Sequence, residues 1–353
     1  MPEKSPEPTP PLRVRLTQLG RRVRRTLRDG WTQFSGWVRH NPWQFGLLVG
    51  IFGVLVYFFG FHKAYVNGEM SALRWAVEAW GFENNQEHSW VVGPIFFFLL
   101  WYHRDQLRSA RLAPSNRGLL LVALGSLLFV VAARTLQPRL ALISLPVLIY
   151  GIALYLWGRE VARVFIFPCL FLLFTVPVGG LVQGTVSLQL LVSTSVKALS
   201  SLIGVKIEMI GTTLKALDDS FNFEIAEGCS GIRSLMAMTM LAALYVHFTQ
   251  REVWKQLVIF AGSVLFALVG NIGRIFTVIL FARFISPRIA GGIYHDYSGF
   301  IFFPIAVVAM VSFSRLLDRD WQRLIDETGQ PKPAAPPKAG EEKKAPSPIS
   351  YDY

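Results

Sequence analysis

From residue 43 onward the chain alternates long apolar runs with short polar breaks. Eight of the runs read as membrane spans: 43–61, 90–102, 118–133, 140–157, 164–178, 231–247, 254–274 and 299–313. The seventh extends toward Phe284 as an interfacial continuation. Residues 181–203 are apolar in part, but Gln183, Thr185, Gln189, Ser193, Lys197 and Ser200 interrupt them. That pattern predicts an amphipathic helix lying at the outer interface. The segments 205–209 and 221–225 alternate apolar with polar residues around Asp218-Asp219-Ser220, which predicts a small β-hairpin or meander. The expected fold is therefore an all-α polytopic membrane protein of about eight transmembrane helices. A small extracytoplasmic insertion, the amphipathic helix and the hairpin, precedes Cys229.

Composition agrees with this pattern. Hydrophobic residues make up 52% of the 353 positions and charged residues 16%. Mean hydropathy is +0.40. A soluble domain carries closer to a quarter charged residues. The net charge of +12 sits mainly in the termini and in alternate loops, as the positive-inside rule describes. Nucleic-acid binding is therefore not expected. The same asymmetry puts both termini in the cytoplasm and the protein in the cytoplasmic (inner) membrane. Residues 1–42 read as a disordered, basic cytoplasmic segment and 43–316 as the membrane domain. Residues 317–353 read as a charged, Pro/Lys-rich cytoplasmic tail. The long polar stretch before the first run predicts a retained signal anchor rather than a cleaved signal peptide.

Two cysteines make no disulfide framework. Cys169 lies mid-run and reads as a small buried apolar residue. Cys229 differs. It sits in Glu227-Gly228-Cys229-Ser230-Gly231-Ile232, where polar sequence meets the sixth span on the outer side. Unpaired amides and the helix dipole at such a start favour a thiolate, and a thiolate is the nucleophilic form. Arg274, in Gly270-Asn271-Ile272-Gly273-Arg274, is a cation at membrane depth, and such residues face polar interior sites. It either snorkels to the outer headgroups or stabilises an oxyanion, with Asn271 one turn earlier to orient it. Arg233, one turn after Cys229, offers a second cation, or binds lipid phosphate. His62, His88 and His295 fall on the outer side. His295, in Tyr294-His295-Asp296-Tyr297-Ser298-Gly299, matches the depth of Cys229 and can exchange a proton with it. His88, which precedes the second span, is expected to matter far less. No Walker A, HExxH, CxxC or GxSxG pattern occurs, so neither metal nor cofactor is expected.

The stretches 227–232 and 271–275, and His295 ahead of Gly299 and a last span, together resemble the exosortase/archaeosortase family. Residues 88–107, with Gly93-Pro94 and Trp101 before a basic loop, are similar to its second span. The resemblance covers roughly residues 44 to 316. It implies eight spans and an outward-facing Cys229–Arg274–His295 site of nucleophile, electrostatic stabiliser and acid/base, with Asn271, Arg233 and Ser230 in support. It implies a cysteine protease or transpeptidase. The expected partners are exported proteins with a C-terminal sorting tail: a PEP-CTERM-like motif, a transmembrane helix and a basic cluster. Two other classes stay open at this point, an anion transporter or channel and a non-catalytic polysaccharide-export assembly factor.

Overall fold

In the computed structural model, residues 42–81, 86–177, 182–224 and 231–318 are described, with a few positions between 28 and 40. Cys229 and Ser230, most of the basic N-terminal segment and the tail from 319 lie outside the described residues. In chain order the elements are α1 Pro42–Val56, continued by the π-helical turn Tyr57–Phe61, α2 Ala72–Ala79, α3 Ser89–Tyr102, α4 Arg104–Ser109, α5 Arg117–Arg134, α6 Pro138–Trp157 and α7 Arg159–Phe171. After α7 come the 3₁₀ turn Leu172–Thr175 and α8 Val182–Leu202, then β1 Ile207–Ile210, β2 Thr213–Ala216 and β3 Asn222–Glu224. The chain continues with α9 Ile232–Thr249, α10 Val253–Phe284, two short turns (Pro287–Ile289 and Ala290–Tyr294) and α11 His295–Leu317.

The fold is all-α and polytopic, as the apolar runs predict. Among the described residues, six helices are long and apolar enough to cross a bilayer: α1 with its π turn, α5, α6, α9, α10 and α11 from Tyr297. The second and fifth expected spans are shorter helices. α3 has 14 residues and α7 has 13, and each carries an internal proline, Pro94 and Pro168. At 1.5 Å per residue α3 covers only about 21 Å. α7 gains length from the 3₁₀ turn that follows it.

Contacts at the two ends of the bundle fix the direction of each helix. At one end His103, after α3, meets His247, near the end of α9, with the Nε2 atoms 3.2 Å apart. Lys255 at the start of α10 pairs with Asp318 after α11 at 3.2 Å. At the other end the α7 terminus is held by three donors. Ser89 Oγ donates to the Phe174 carbonyl (3.2 Å), Trp80 Nε1 to Thr175 (2.8 Å) and Arg139 Nε to Pro177 (2.9 Å). Orphan carbonyls at a helix end need such partners. The start of α9 lies at this same end, because Arg233 pairs with Glu87 at 3.1 Å. The chain therefore leaves the bundle after α7 and re-enters at α9 on one side, so α8 makes no crossing between them.

α8 and the sheet instead cover the extension of α10. With 32 residues α10 is about 48 Å long, well beyond a ~30 Å hydrocarbon core. Val192 and Val196 of α8, and Ile207, Leu214 and Ala216 of the sheet, pack on Ile275, Val278, Ile279 and Ala282. The sheet is an antiparallel meander in the order β1-β2-β3, with Ile207 opposite Ala216 and Thr213 opposite Glu224. Asp218 closes the β2–β3 turn by accepting from the Ser220 amide (3.2 Å), and Asp219 takes φ +56°. The meander matches expectation, except that β2 had no counterpart in the sequence reading.

Candidate active site

α10 and α11 approach closely because α10 lacks side chains where they meet. A Cβ at Gly270 would lie 3.2 Å from Ala306 Cβ, and one at Gly273 3.2 Å from a Phe302 ring carbon. Small residues allow such backbone approach in membranes. The approach brings Arg274 to the start of α11, about 32 Å along α10 at 1.5 Å per residue, a length close to the thickness of a hydrocarbon core. Its guanidinium fork spans that start. Nε donates to Ser298 Oγ and Nη2 to the His295 carbonyl, each at 3.0 Å. Ser298 Oγ itself donates to the same carbonyl at 2.9 Å.

A second chain of bonds holds the turn before α11. Tyr294 stacks on Phe281 with ring centroids 3.9 Å apart, and its hydroxyl donates to Thr277 Oγ1 at 2.8 Å. Thr277 donates in turn to the Arg274 carbonyl, also at 2.8 Å. His295 is thereby fixed in backbone position relative to Arg274 by two routes.

Asn271 is 3% exposed and lies beside Arg274 in a recess of about 10 Å³, room for one water, that Ser234 and Gly299 also line. Gly231 seats directly on it. Gly231 has φ +86°, and a Cβ there would come within 2.8 Å of Asn271 Nδ2. Only glycine meets both requirements, the left-handed backbone and the contact. The three sequence stretches that carry candidate chemistry thus converge: the start of α9, the middle of α10 and the start of α11.

With this geometry stands a family match. Residues 80–312, more than half of the chain, match the family described as transmembrane exosortase (Exosortase_EpsH). The chain belongs to that family. No curated protein and no solved structure matches. The exosortase match begins in α2's trailing loop and ends in α11, so it takes in every element that meets at the convergence.

Not every candidate falls in one cluster. Arg274, Asn271 and His295 are together, while Arg233 turns to Glu87 at the head of α3. Cys169 is free and buried, the structural role read for it. Ser298 escaped the sequence reading, although its place three residues after His295 is the helical spacing that lets one guanidinium reach both. Glu87 and its neighbours escaped as well, since nothing in their spacing relates them to α9. No group of three or more His, Cys, Asp or Glu that would hold a metal occurs among the described residues.

Proposed function

We propose that this exosortase is a cysteine protease or transpeptidase that removes the C-terminal sorting tail of exported proteins, with Cys229 as nucleophile. Its substrates would carry a PEP-CTERM-like motif, a transmembrane helix and a basic cluster, and the site would face away from the cytoplasm. The observation that carries this reading is the seating of Gly231 on Asn271, one turn from Arg274 and its bond to His295. Cys229 is two residues from Gly231, so chain connectivity keeps their Cα atoms within about 7 Å.

In the proposed reaction the His295 imidazole takes the thiol proton and the Cys229 sulfur attacks the scissile carbonyl carbon. A C–S bond forms, and the carbonyl electron pair moves onto oxygen, where the Arg274 charge stabilises it. The C–N bond then breaks as His295 returns its proton to the leaving amine. Water, or the amine of a surface acceptor, attacks the thioester next, and its proton passes through His295 back to sulfur. The product is a shortened protein, or one joined to the acceptor by a new amide. Asn271 acts here by seating Gly231, which holds the α9 start against α10.

An anion path along the arginines has less support, because both guanidiniums are engaged by the protein. The test is Cys229→Ala with a co-expressed tailed protein, read by intact mass. The expected result is a substrate that keeps its tail, with normal processing in Cys169→Ala. Tail removal by Cys229→Ala would overturn the cysteine mechanism.

A further inference from the structure

The residues just before α3 form a polar cluster that the mechanism above leaves unused. Gln86 is wholly buried and Ser89 is 1% exposed. The Ser89 hydroxyl donates to the Phe174 carbonyl at 3.2 Å and has Gln86 Oε1 as a second acceptor at 3.4 Å. Gln86 Nε2 is buried without a hydrogen-bond partner among the described residues. His88 Nδ1 is buried and unpartnered in the same way. Between them Glu87 pairs with Arg233, the second residue of α9 and four residues after Cys229. Residues 86–88 therefore stand against the same helix start that Gly231 seats on Asn271.

Buried polar atoms in native proteins nearly always have partners, ordered water included, so two unpaired atoms in one cluster mark a place for a water or a ligand group. Their chemistry restricts what it is. Gln86 Nε2 can only donate. His88 Nδ1 accepts when the ring is neutral and carries its proton on Nε2. Burial lowers the His88 pKa and favours the neutral ring, against a smaller opposing effect of Glu87. A carboxylate offers acceptors alone, and a metal ion has no use for an amide NH₂. A peptide group offers both a carbonyl and an N–H.

We propose that Gln86 and His88 bind the substrate's peptide backbone next to the scissile bond, as a second wall of the site. Gln86 donates to a peptide carbonyl and His88 accepts from a peptide N–H. This assignment rests on the processing function proposed above. It also gives His88 a role that its position ahead of the second span did not indicate.

The experiment uses the full chain in proteoliposomes, with a purified protein from the same genome that ends in a motif-helix-basic tail as the probe. KM and kcat are read from the mass shift. Gln86→Glu, which exchanges the donor for an oxygen at nearly constant shape, and His88→Phe are each expected to raise KM about tenfold, the weight of one good hydrogen bond, with kcat within about twofold. His88→Asn, which restores a polar atom near the Nδ1 position, should recover most of the KM, whereas His88→Gln, which reproduces the other ring nitrogen, should not. An unchanged KM in Gln86→Glu and His88→Phe, with Cys229→Ala inactive in the same assay, overturns the inference and leaves the function standing. A fall in kcat at constant KM overturns it equally. Processing by Cys229→Ala would instead remove the function on which it rests.

Discussion

Two arginines stand at or beside the start of α9, and their surroundings separate their roles. Arg233 pairs with Glu87, with its side chain 48% exposed. Pairs of that kind contribute about 0–1 kcal/mol and need only a positive charge within reach. Arg274 is half-buried and uses two different nitrogens of its fork on Ser298 and the His295 carbonyl. A lysine supplies a charge but not two donors in a fixed plane. The same substitution is therefore expected to give opposite results at the two sites. Arg233→Lys should process within about fivefold of the parent, the equivalent of a surface pair. Arg274→Lys should reach the membrane in normal amount yet process roughly ten- to a hundredfold more slowly, the weight of one charged hydrogen bond. Equal rates in both variants, measured by intact mass of a tailed substrate over time, would show that the fork is dispensable. Arg274 stood out in the sequence because an arginine inside an apolar run is costly and rare. Ser298 was not, since hydroxyl residues are common at helix starts and only the packing of α10 on α11 selects this one.

The glycine at the head of α9 shows the same logic in whole elements. α9 meets α10 through a residue that needs both a left-handed backbone and no side chain. Gly231→Ala is expected to cost about 1–2 kcal/mol from the backbone alone, with a further loss as Asn271 is displaced. In detergent this appears as a melting temperature lower by a few degrees. Asn271→Ala should cost less beside Gly231→Ala than alone, because the displaced side chain is then already gone. Strict additivity in the double-mutant cycle would mean that the two do not touch. Most elements were readable because apolar length and breaks in it survive any packing. α3 and α7 fell short of a full span because an apolar run does not mark where a helix gives way to a loop or a 3₁₀ turn. β2 was missed because Thr213-Leu214-Lys215-Ala216 is too short for its alternation to stand out.

Across the whole molecule, α3, α9, α10 and α11 each run between two separate sets of contacts. One end holds the His103–His247 and Lys255–Asp318 contacts, the other the Glu87–Arg233 pair and the Arg274–His295 bond. Charge had assigned these ends to opposite sides of the membrane, and the polar residues that interrupt 181–203 had kept that segment from spanning. The geometry reaches the second conclusion independently, because α7 ends and α9 begins beside the same residues of α3. The sheet must then lie on the side where the proposed site opens. Leu217, in the β2–β3 turn, and Ser109, at the end of α4, are both exposed and sit at opposite ends of the bundle. In a chain freed of Cys169 and Cys229, Leu217→Cys should react with an impermeant maleimide in intact spheroplasts. Ser109→Cys should react only after permeabilisation, since the loop after α3 carries Arg104, Arg108, Arg111 and Arg117 and basic loops stay cytoplasmic. Reversed labelling would put the site in the cytoplasm, where exported proteins do not present a tail for removal. Labelling of both in intact cells would mean that the chain crosses an even number of times between them, and the short helix α7 would then have to lie in the interface.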